Sequence, residues 1–179
     1  QRGQPDEAEL PGDVATSRGD LDGRRFVSHH PDLRLRLEAG DLARDSLERA
    51  KIAMLEHFDA QHGGFGASPK FPMPGALEFL LHQAATRKDR AAENAVKTTL
   101  DAMARGGFHD HLAGGFHRYS VDEAWFVPHF EKMADDNAWL LRNYIDAYAL
   151  FGEERYREVA EGIIRFVRSV LSDPAGGFF

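Results

Sequence analysis

The sequence predicts an all-α fold of antiparallel helical hairpins, itself part of a larger helical array. Three observations carry this. Five stretches repeat apolar residues at the helical period. Gly- and Pro-rich breakers separate them. Gly-Gly-Phe recurs at 63–65, 106–108, 114–116 and 176–178, after a helix or inside the long loop, a weak internal repetition. Stacked hairpins cannot cover their outer faces alone. An open edge exposes apolar stripes, so the isolated chain is expected to associate or to be marginally stable.

The elements follow in order. Residues 1–40 mix Gly, Pro, Asp and Arg without an apolar period, and eight acidic residues nearly balance six basic ones. Such a stretch buries too little apolar surface to offset its ordering entropy and reads as a linker or irregular arm. Its sticky positions are Phe26-Val27 and Leu33, Leu35 and Leu37. From Asp41, an acceptable N-cap, Ala43, Leu47, Ala50, Met54 and Phe58 mark one helical face, running on towards Gly63-Gly64. The three prolines of residues 63–75 forbid regular helix, and Pro74 opens a second helix from Gly75 to Arg87. Leu77, Phe79, Leu80 and Leu81 nearly surround that helix, the signature of an inner, buried one.

A third helix spans Arg90 to Arg105, with Ala92, Val96, Thr99 and Met103 in phase, and Gly106-Gly107 ends it. A long loop runs to Pro128. The fourth helix is read from His129 to Phe151, with Met133, Leu140, Leu141, Tyr144, Ile145 and Tyr148 inward. The fifth is read from Glu153 to Leu171, with Tyr156, Ala160, Ile163, Val167 and Val170 in phase, stopped by Asp173-Pro174. The short links at 86–89 and at Gly152 make two helical hairpins.

Composition narrows the function classes. A chain of 179 residues with 42% hydrophobic content is one domain with a sizeable core. A net charge of −7 gives no electrostatic footprint for nucleic acid. The absence of cysteine excludes thiolate metal sites, disulfides and cysteine nucleophiles from these residues. No apolar run is long enough to span a bilayer and no charged-then-apolar leader opens the sequence. The expectation is a cytoplasmic protein without a membrane partner. Both ends, Gln1 and Phe179, read as cuts in a longer chain.

The chemistry concentrates in residues 106–137, GGFHDHLAGGFHRYSVDEAWFVPHFEKMADDN, which hold four of the nine histidines. A loop this long and this aromatic is ordered, and long ordered loops tend to carry function. Three readings stand open. Imidazoles and carboxylates can trade protons on a polyol or sugar, with aromatics offering flat faces. His109, His111 and His117, completed by Asp110 or Glu131, can surround a metal, although the spacing matches no recognised ligand pattern. The same groups can form a packing cluster, His129 capping the fourth helix. No cofactor and no metal are called for. Lys70, between prolines, points either into the same pocket or to solvent. His29, His30, His57, His62 and His82 read as ordinary surface or core residues. Gly63-Gly64-Phe65-Gly66 lacks the flanking strand and lysine of a phosphate cradle, and no nucleophile elbow is present.

GGFGASPKFPMPGALEFLL (63–81), MARGGFHDHLAGGFHRYSVDEAWFVPHFEKMADDNAWLL (103–141) and PAGGFF (174–179) closely resemble the YyaL-like proteins, the thioredoxin-domain-containing family that includes spermatogenesis-associated proteins. The likeness runs from about Asp41 to Phe179. It implies an (α/α)6 toroid similar to six-hairpin glycosidases and N-acylglucosamine 2-epimerases, of which this chain is the incomplete opening portion. It implies a thioredoxin-like domain upstream as an intramolecular partner. The sequence departs from the family at His109, where an aromatic is usual, and at Ala134-Asp135, where Leu-Tyr is usual. His109 is therefore set aside as a catalytic residue.

The functional expectation is a carbohydrate-processing or carbohydrate-binding domain of epimerase or glycosidase type, taking a small sugar-like ligand. The other reading is a non-catalytic helical scaffold that docks clients for the thioredoxin-like domain. His117 and Glu131 lead as acid/base groups, with His111 and His129 behind them. His117 follows a Gly-Gly hinge on a short extended segment, which projects alternate side chains into a pocket. Glu131 is placed in the fourth helix's first turn, whose positive end favours an ionised carboxylate. That carboxylate is expected to lift the imidazole's pKa. Asp110, Arg118, Tyr119, Asp122, Lys132, Asp136, Asn137 and Lys70 are assigned to substrate binding, with Trp125 stacking a sugar ring.

Overall fold

The computed structural model describes residues 42–178. The reading of 1–40 as a linker, and Asp41 as an N-cap, lie outside the described residues. Five helices appear among those described: α1 Leu42–Glu56, α2 Pro74–Arg87, α3 Arg90–Arg105, α4 Ala134–Phe151 and α5 Glu154–Phe166, the last continuing as a π-helical stretch over Val167–Leu171. No strand longer than an isolated bridge is present among the described residues.

Local chemistry sets the helix boundaries. Pro74 opens α2 because a first-turn residue needs no N–H acceptor and its φ is already helical. Asp89 caps α3, its Oδ1 accepting from the N–H groups of Ala91 and Ala92 at 3.0 Å each. The other oxygen of Asp89 takes Lys51 Nζ at 2.6 Å, tying α1 to the start of α3. Gly152, at φ 68°, closes α4 with its N–H on Tyr148 O and leaves only Glu153 before α5.

Two hairpins, α2/α3 and α4/α5, lie side by side, with α2 against α4. Glu78, His82 and Ala85 of α2 and Arg142, Asp146 and Ala149 of α4 line a shared cleft, where Arg142 Nη2 lies 2.6 Å from Glu78 Oε1. α3 packs on α2 and α5 on α4. The core between the helices holds Leu77, Leu80, Val96, Leu100, Met103, Leu140, Tyr144 and Ile163, none of them exposed. Tyr144 is anchored there by a 2.8 Å hydrogen bond to Leu100 O, so its hydroxyl is not orphaned by burial. α2 is buried on one face, by Leu77, Leu80, Leu81 and Ala84, and not all round as its apolar pattern suggests, since His82 and Ala85 are exposed.

Three expectations are corrected. The first helix ends at Glu56, not near Gly63, because residues 57–62 start a tight turn in which Asp59 and Gly64 pair. The fourth begins at Ala134, not His129: backbone bonds from Arg118 N to Glu131 O and from His129 N to Tyr119 O hold 129–131 extended. Leu47, Ile145, Tyr148 and Val170, read as inward, are exposed. The last three fall on the outer margins of α4 and the π-helical end, where neighbours are lacking among the described residues.

Gly114 sits at φ +80° with Gly162 O only 2.1 Å from where a Cβ would stand, so the long loop packs directly on the α5 backbone. Gly114→Ala is expected to destabilise the domain by about 2–5 kcal/mol, adding left-handed strain to a backbone clash. Urea denaturation of the variant and the parent protein measures it.

Candidate functional site

All three loops that follow α1, α3 and the α5 extension begin with one device. Asp59, Asp110 and Asp173 each start a turn closed by Gly-Gly-Phe. In the first two, the aspartate N–H donates to the second glycine's carbonyl (Gly64, Gly115) and the first glycine's N–H returns to the aspartate carbonyl. Asp59 Oδ1 accepts from Gln61 N and His62 N, and Asp110 Oδ1 from Leu112 N and Ala113 N. The turn at Asp173 is one residue shorter and repeats the pattern with Ala175 N.

A lysine then locks each of the first two turns. Lys70 Nζ reaches Asp59 Oδ2 at 2.6 Å and Gly63 O at 3.0 Å. Lys132 Nζ reaches Asp110 Oδ2 at 2.6 Å and Gly114 O at 2.9 Å. Each ammonium also lies near an aromatic ring, Trp125 at 5.7 Å and Phe166 at 4.4 Å. Lys132 bonded to Asp110 holds that carboxyl well below the usual range. Burial pushes Asp59 upward, but Lys70 and the backbone N–H groups outweigh it and the net shift is downward.

These contacts reassign several expected substrate ligands. Lys70 has no exposed surface and is spent on the turn. Asp110 and Lys132 are spent on each other. Asn137 is buried; it accepts from Phe116 N and donates to Phe116 O and Met133 O. Asp122 organises its own turn, accepting from Ala124, Phe126 and Val127 N–H groups. Trp125 is buried, its Nε1 donating to His62 O and Gly63 O, and it cannot stack a sugar ring. His111 Nε2 lies 3.1 Å from Gly106 O, turned to the backbone.

A different subset does share one face. The segments around Lys70, 118–121 and 127–131 form a small bridged ribbon before the N-termini of α2 and α4. Arg118 Nη1 lies 3.0 Å from Glu131 Oε2, and His129 Nδ1 lies 3.8 Å from the same oxygen. Tyr119 stacks on His129 with ring centroids 4.6 Å apart and on Phe71 at 4.8 Å. His117 meets the ring of Phe130 edge-on at 5.4 Å. Burial lowers the His117 pKa, helped by Lys132 and His129 and opposed by Asp110. The expectation that Glu131 lifts it is corrected: Glu131 precedes the helix and its carboxylate faces Arg118. Burial, then the neighbouring Asp135, raises Asp136 against the pull of Arg118. Among the described residues, no three His, Asp or Glu side chains gather as metal ligands, so the trio of His109, His111 and His117 does not form.

Phe130 and Phe126, 86% and 70% exposed, present open aromatic faces to which the sequence reading gave no role. That reading also missed the aspartate that precedes three of the four Gly-Gly-Phe sequences by three or four residues, a signal in the sequence for the turns.

No family model matches the chain. Over 128 residues it is 45% identical to human spermatogenesis-associated protein 20 and 44% identical to that of the mouse, covering 69% of this chain and 16% of each relative. The chain belongs to the YyaL-like family. It spans about one sixth of the length of these curated relatives. Among solved structures, a sugar epimerase from a ruminal bacterium matches with a TM-score of 0.64 at 13% identity, over 74% of this chain and 38% of that one. A cellobiose 2-epimerase from Bacillus thermoamylovorans matches with a TM-score of 0.60, also at 13% identity, over 75% and 39%. The two likenesses establish the fold of this YyaL-like segment as part of an (α/α)6 toroid.

His109 packs on Phe116 with ring centroids 4.8 Å apart and both ring nitrogens buried and unpartnered. Burial, then the neighbouring His111, lowers its pKa to about 4. The unfolded chain, with an ordinary histidine pKa near ~6.5, takes up this proton earlier on acidification than the folded one. Stability is therefore present in full above about pH 6.5 and is lost as pH falls towards 4. His109→Phe is expected to remove this part of the acid dependence while holding the fold. Thermal melts of both proteins between those pH values test it; parallel curves would contradict it.

Proposed function

We propose that this domain binds a small polyhydroxylated, sugar-like ligand at the ribbon before α2 and α4 and acts on it by proton transfer. The observation that supports the reading best is the convergence there of His117, Arg118, Tyr119, His129, Glu131 and Asp136 beside exposed aromatic rings. Burial keeps the His117 imidazole unprotonated at neutral pH, the form that accepts a proton. Asp136, the carboxyl with a raised pKa, is the better placed to hold one. Arg118 and Glu131, paired at 3.0 Å, offer donors and acceptors to vicinal hydroxyls, and His129 with Tyr119 forms one wall. Glu131 thus becomes a binding and positioning group rather than the leading acid. His111 drops out of the reaction. In the full-length protein the domain follows a thioredoxin-like domain and works in the cytoplasm.

A second reading has its own observation. Phe126, Val127, Phe130 and Leu112 are all exposed in the long loop, an apolar surface that suits a scaffold docking clients for the thioredoxin-like domain. The two readings part in the full-length protein assayed against a panel of free sugars. His117→Ala is expected to lower turnover about 10²-fold or more, the usual scale of general acid–base catalysis, with the circular dichroism of the parent retained. Turnover near that of the parent would remove His117 from the chemistry. Absence of any turnover, with client binding lost on Phe130→Ser, would favour the scaffold.

A further inference from the structure

The first two Asp-to-Gly-Gly-Phe turns are completed by chain that follows them. The turn after α1 takes Lys70 from the stretch leading into α2. α3 then covers its glycines: a Cβ on Gly63 would stand 2.8 Å from Thr98 O, and Gly64 N donates to Thr99 Oγ1 at 2.8 Å. The turn after α3 takes Lys132 from the stretch leading into α4. α5 covers its glycines, with Gly162 O in the place of a Cβ on Gly114 and the Phe166 ring 2.6 Å from one on Gly115. The phenylalanines are covered too. Phe65 is half-buried; Phe116 is buried, stacked on Tyr144 of α4 at 5.4 Å, with its N–H and carbonyl held by Asn137.

The turn after the π-helical stretch has every part of this device except its lysine and its cover. Asp173 N donates to Gly177 O at 3.1 Å and Gly176 N to Asp173 O at 2.9 Å. Ser172 bridges to Phe178, as Phe58 does to Phe65 and His109 to Phe116. Gly176 and Gly177 sit at φ 105° and 90°, where the two earlier pairs lie between 71° and 83°. Left-handed backbone at two successive positions is a glycine requirement, so the sequence specifies this turn although no described residue packs on it. Asp173 Oδ1 accepts from Ala175 N. Among the described residues, no donor bonds to Asp173 Oδ2 or Gly176 O, and no atom comes within 4 Å of a Cβ on either glycine. Phe178 is 68% exposed.

We infer that the Asp173 turn is a third lysine cradle, filled in the full-length protein by an ammonium group from the stretch of chain between Phe179 and the next helix. Repetition sets the chemistry. In both filled turns the ammonium takes the aspartate oxygen not used by the turn's own N–H groups, together with the carbonyl of the first glycine. Asp173 Oδ2 and Gly176 O are the corresponding pair. A lysine suits them better than an arginine, because an ammonium donates three bonds from one point while a guanidinium donates in a planar fork. Repetition also sets the source. Lys70 follows Gly63 by 7 residues and Lys132 follows Gly114 by 18, each shortly before the next helix begins. The curated relatives, of which this chain spans about one sixth, are long enough to supply such a stretch. Filled in this way, the turn fastens the end of the α5 extension to the following helix as Lys132 fastens the end of α3 to α4. The cradle stands whether or not the ribbon binds a sugar.

Hydrogen exchange of the full-length protein, read by mass spectrometry on the peptide holding residues 172–178, tests it. That peptide is expected to exchange as slowly as the one holding residues 109–116. Asp173→Asn keeps an oxygen for Ala175 N and removes the charge. It is expected to speed exchange of 172–178 at least about tenfold, the scale of one charge-assisted hydrogen bond. Replacing one lysine between Phe179 and the next helix by methionine is expected to do the same, and the double variant to go no further, because both changes remove one contact. Unchanged exchange of 109–116 in every variant shows that the fold is kept. Fast exchange of 172–178 in the parent protein, no lysine in that stretch, or effects that add like those of independent sites overturn the inference. Protection that Asp173→Asn removes but no lysine substitution reproduces, or that falls on dilution, gives the place to another group or to a second copy and equally overturns it.

Discussion

The structure depends on two lysine ammonium groups, each held between an aspartate carboxylate and a glycine carbonyl. Lys70 with Asp59 and Gly63, and Lys132 with Asp110 and Gly114, close turns that would otherwise leave buried backbone carbonyls and a charge without partners. Removing one member of such a group leaves the other desolvated, which costs more than the net worth of the pair. Both lysines lie in the short stretches that lead into inner helices, Lys70 four residues before α2 and Lys132 two residues before α4. Each clamp therefore joins the end of an outer helix to the start of an inner one.

That connection determines what the ends of the inner helices can present. With the aspartates, lysines, Asn137 and Trp125 committed to the loop's own backbone, the ribbon between the clamps is rigid without using its outward groups. His117, Arg118, Tyr119, His129 and Glu131 are left outside that packing, which is what the proposed ligand site draws on. The same division appears on α4, where Leu140 and Tyr144 face the core and Trp139 and Arg142 do not. Rigid support beneath a polar, aromatic face is the arrangement that binding and proton transfer require.

Much of the fold was legible in the sequence. The periods of α2, α3 and α5, the proline that opens α2 and the glycine after α4 are local signals, and the structure follows them. The start of α4 was not legible, because residues 129–133 have a helical pattern but are held extended by hydrogen bonds to 118–119, a partner distant in sequence. The site was legible as a region rather than by role. Residue type alone does not separate an aspartate that caps a turn, such as Asp122, from one left with a buried, unpartnered oxygen, such as Asp136. Trp125 looked like a platform by chemistry; its burial arises from close approach to Gly64 and Gly106, which no spacing in the sequence reveals. Phe130, lying between His129 and Glu131 in the extended segment, is exposed because that segment is not helix.

The direct test of the clamps is a double-mutant cycle. Urea denaturation of the parent protein, Lys132→Met, Asp110→Asn and the double variant gives the coupling between the two side chains, with the length of the lysine stem kept by methionine. A charge-assisted hydrogen bond of this burial predicts a coupling of about 1.5–3 kcal/mol, with each single variant strongly destabilised. A coupling under about 0.5 kcal/mol, within the additivity of independent sites, would show that the ammonium is a bystander and that the turns stand without it.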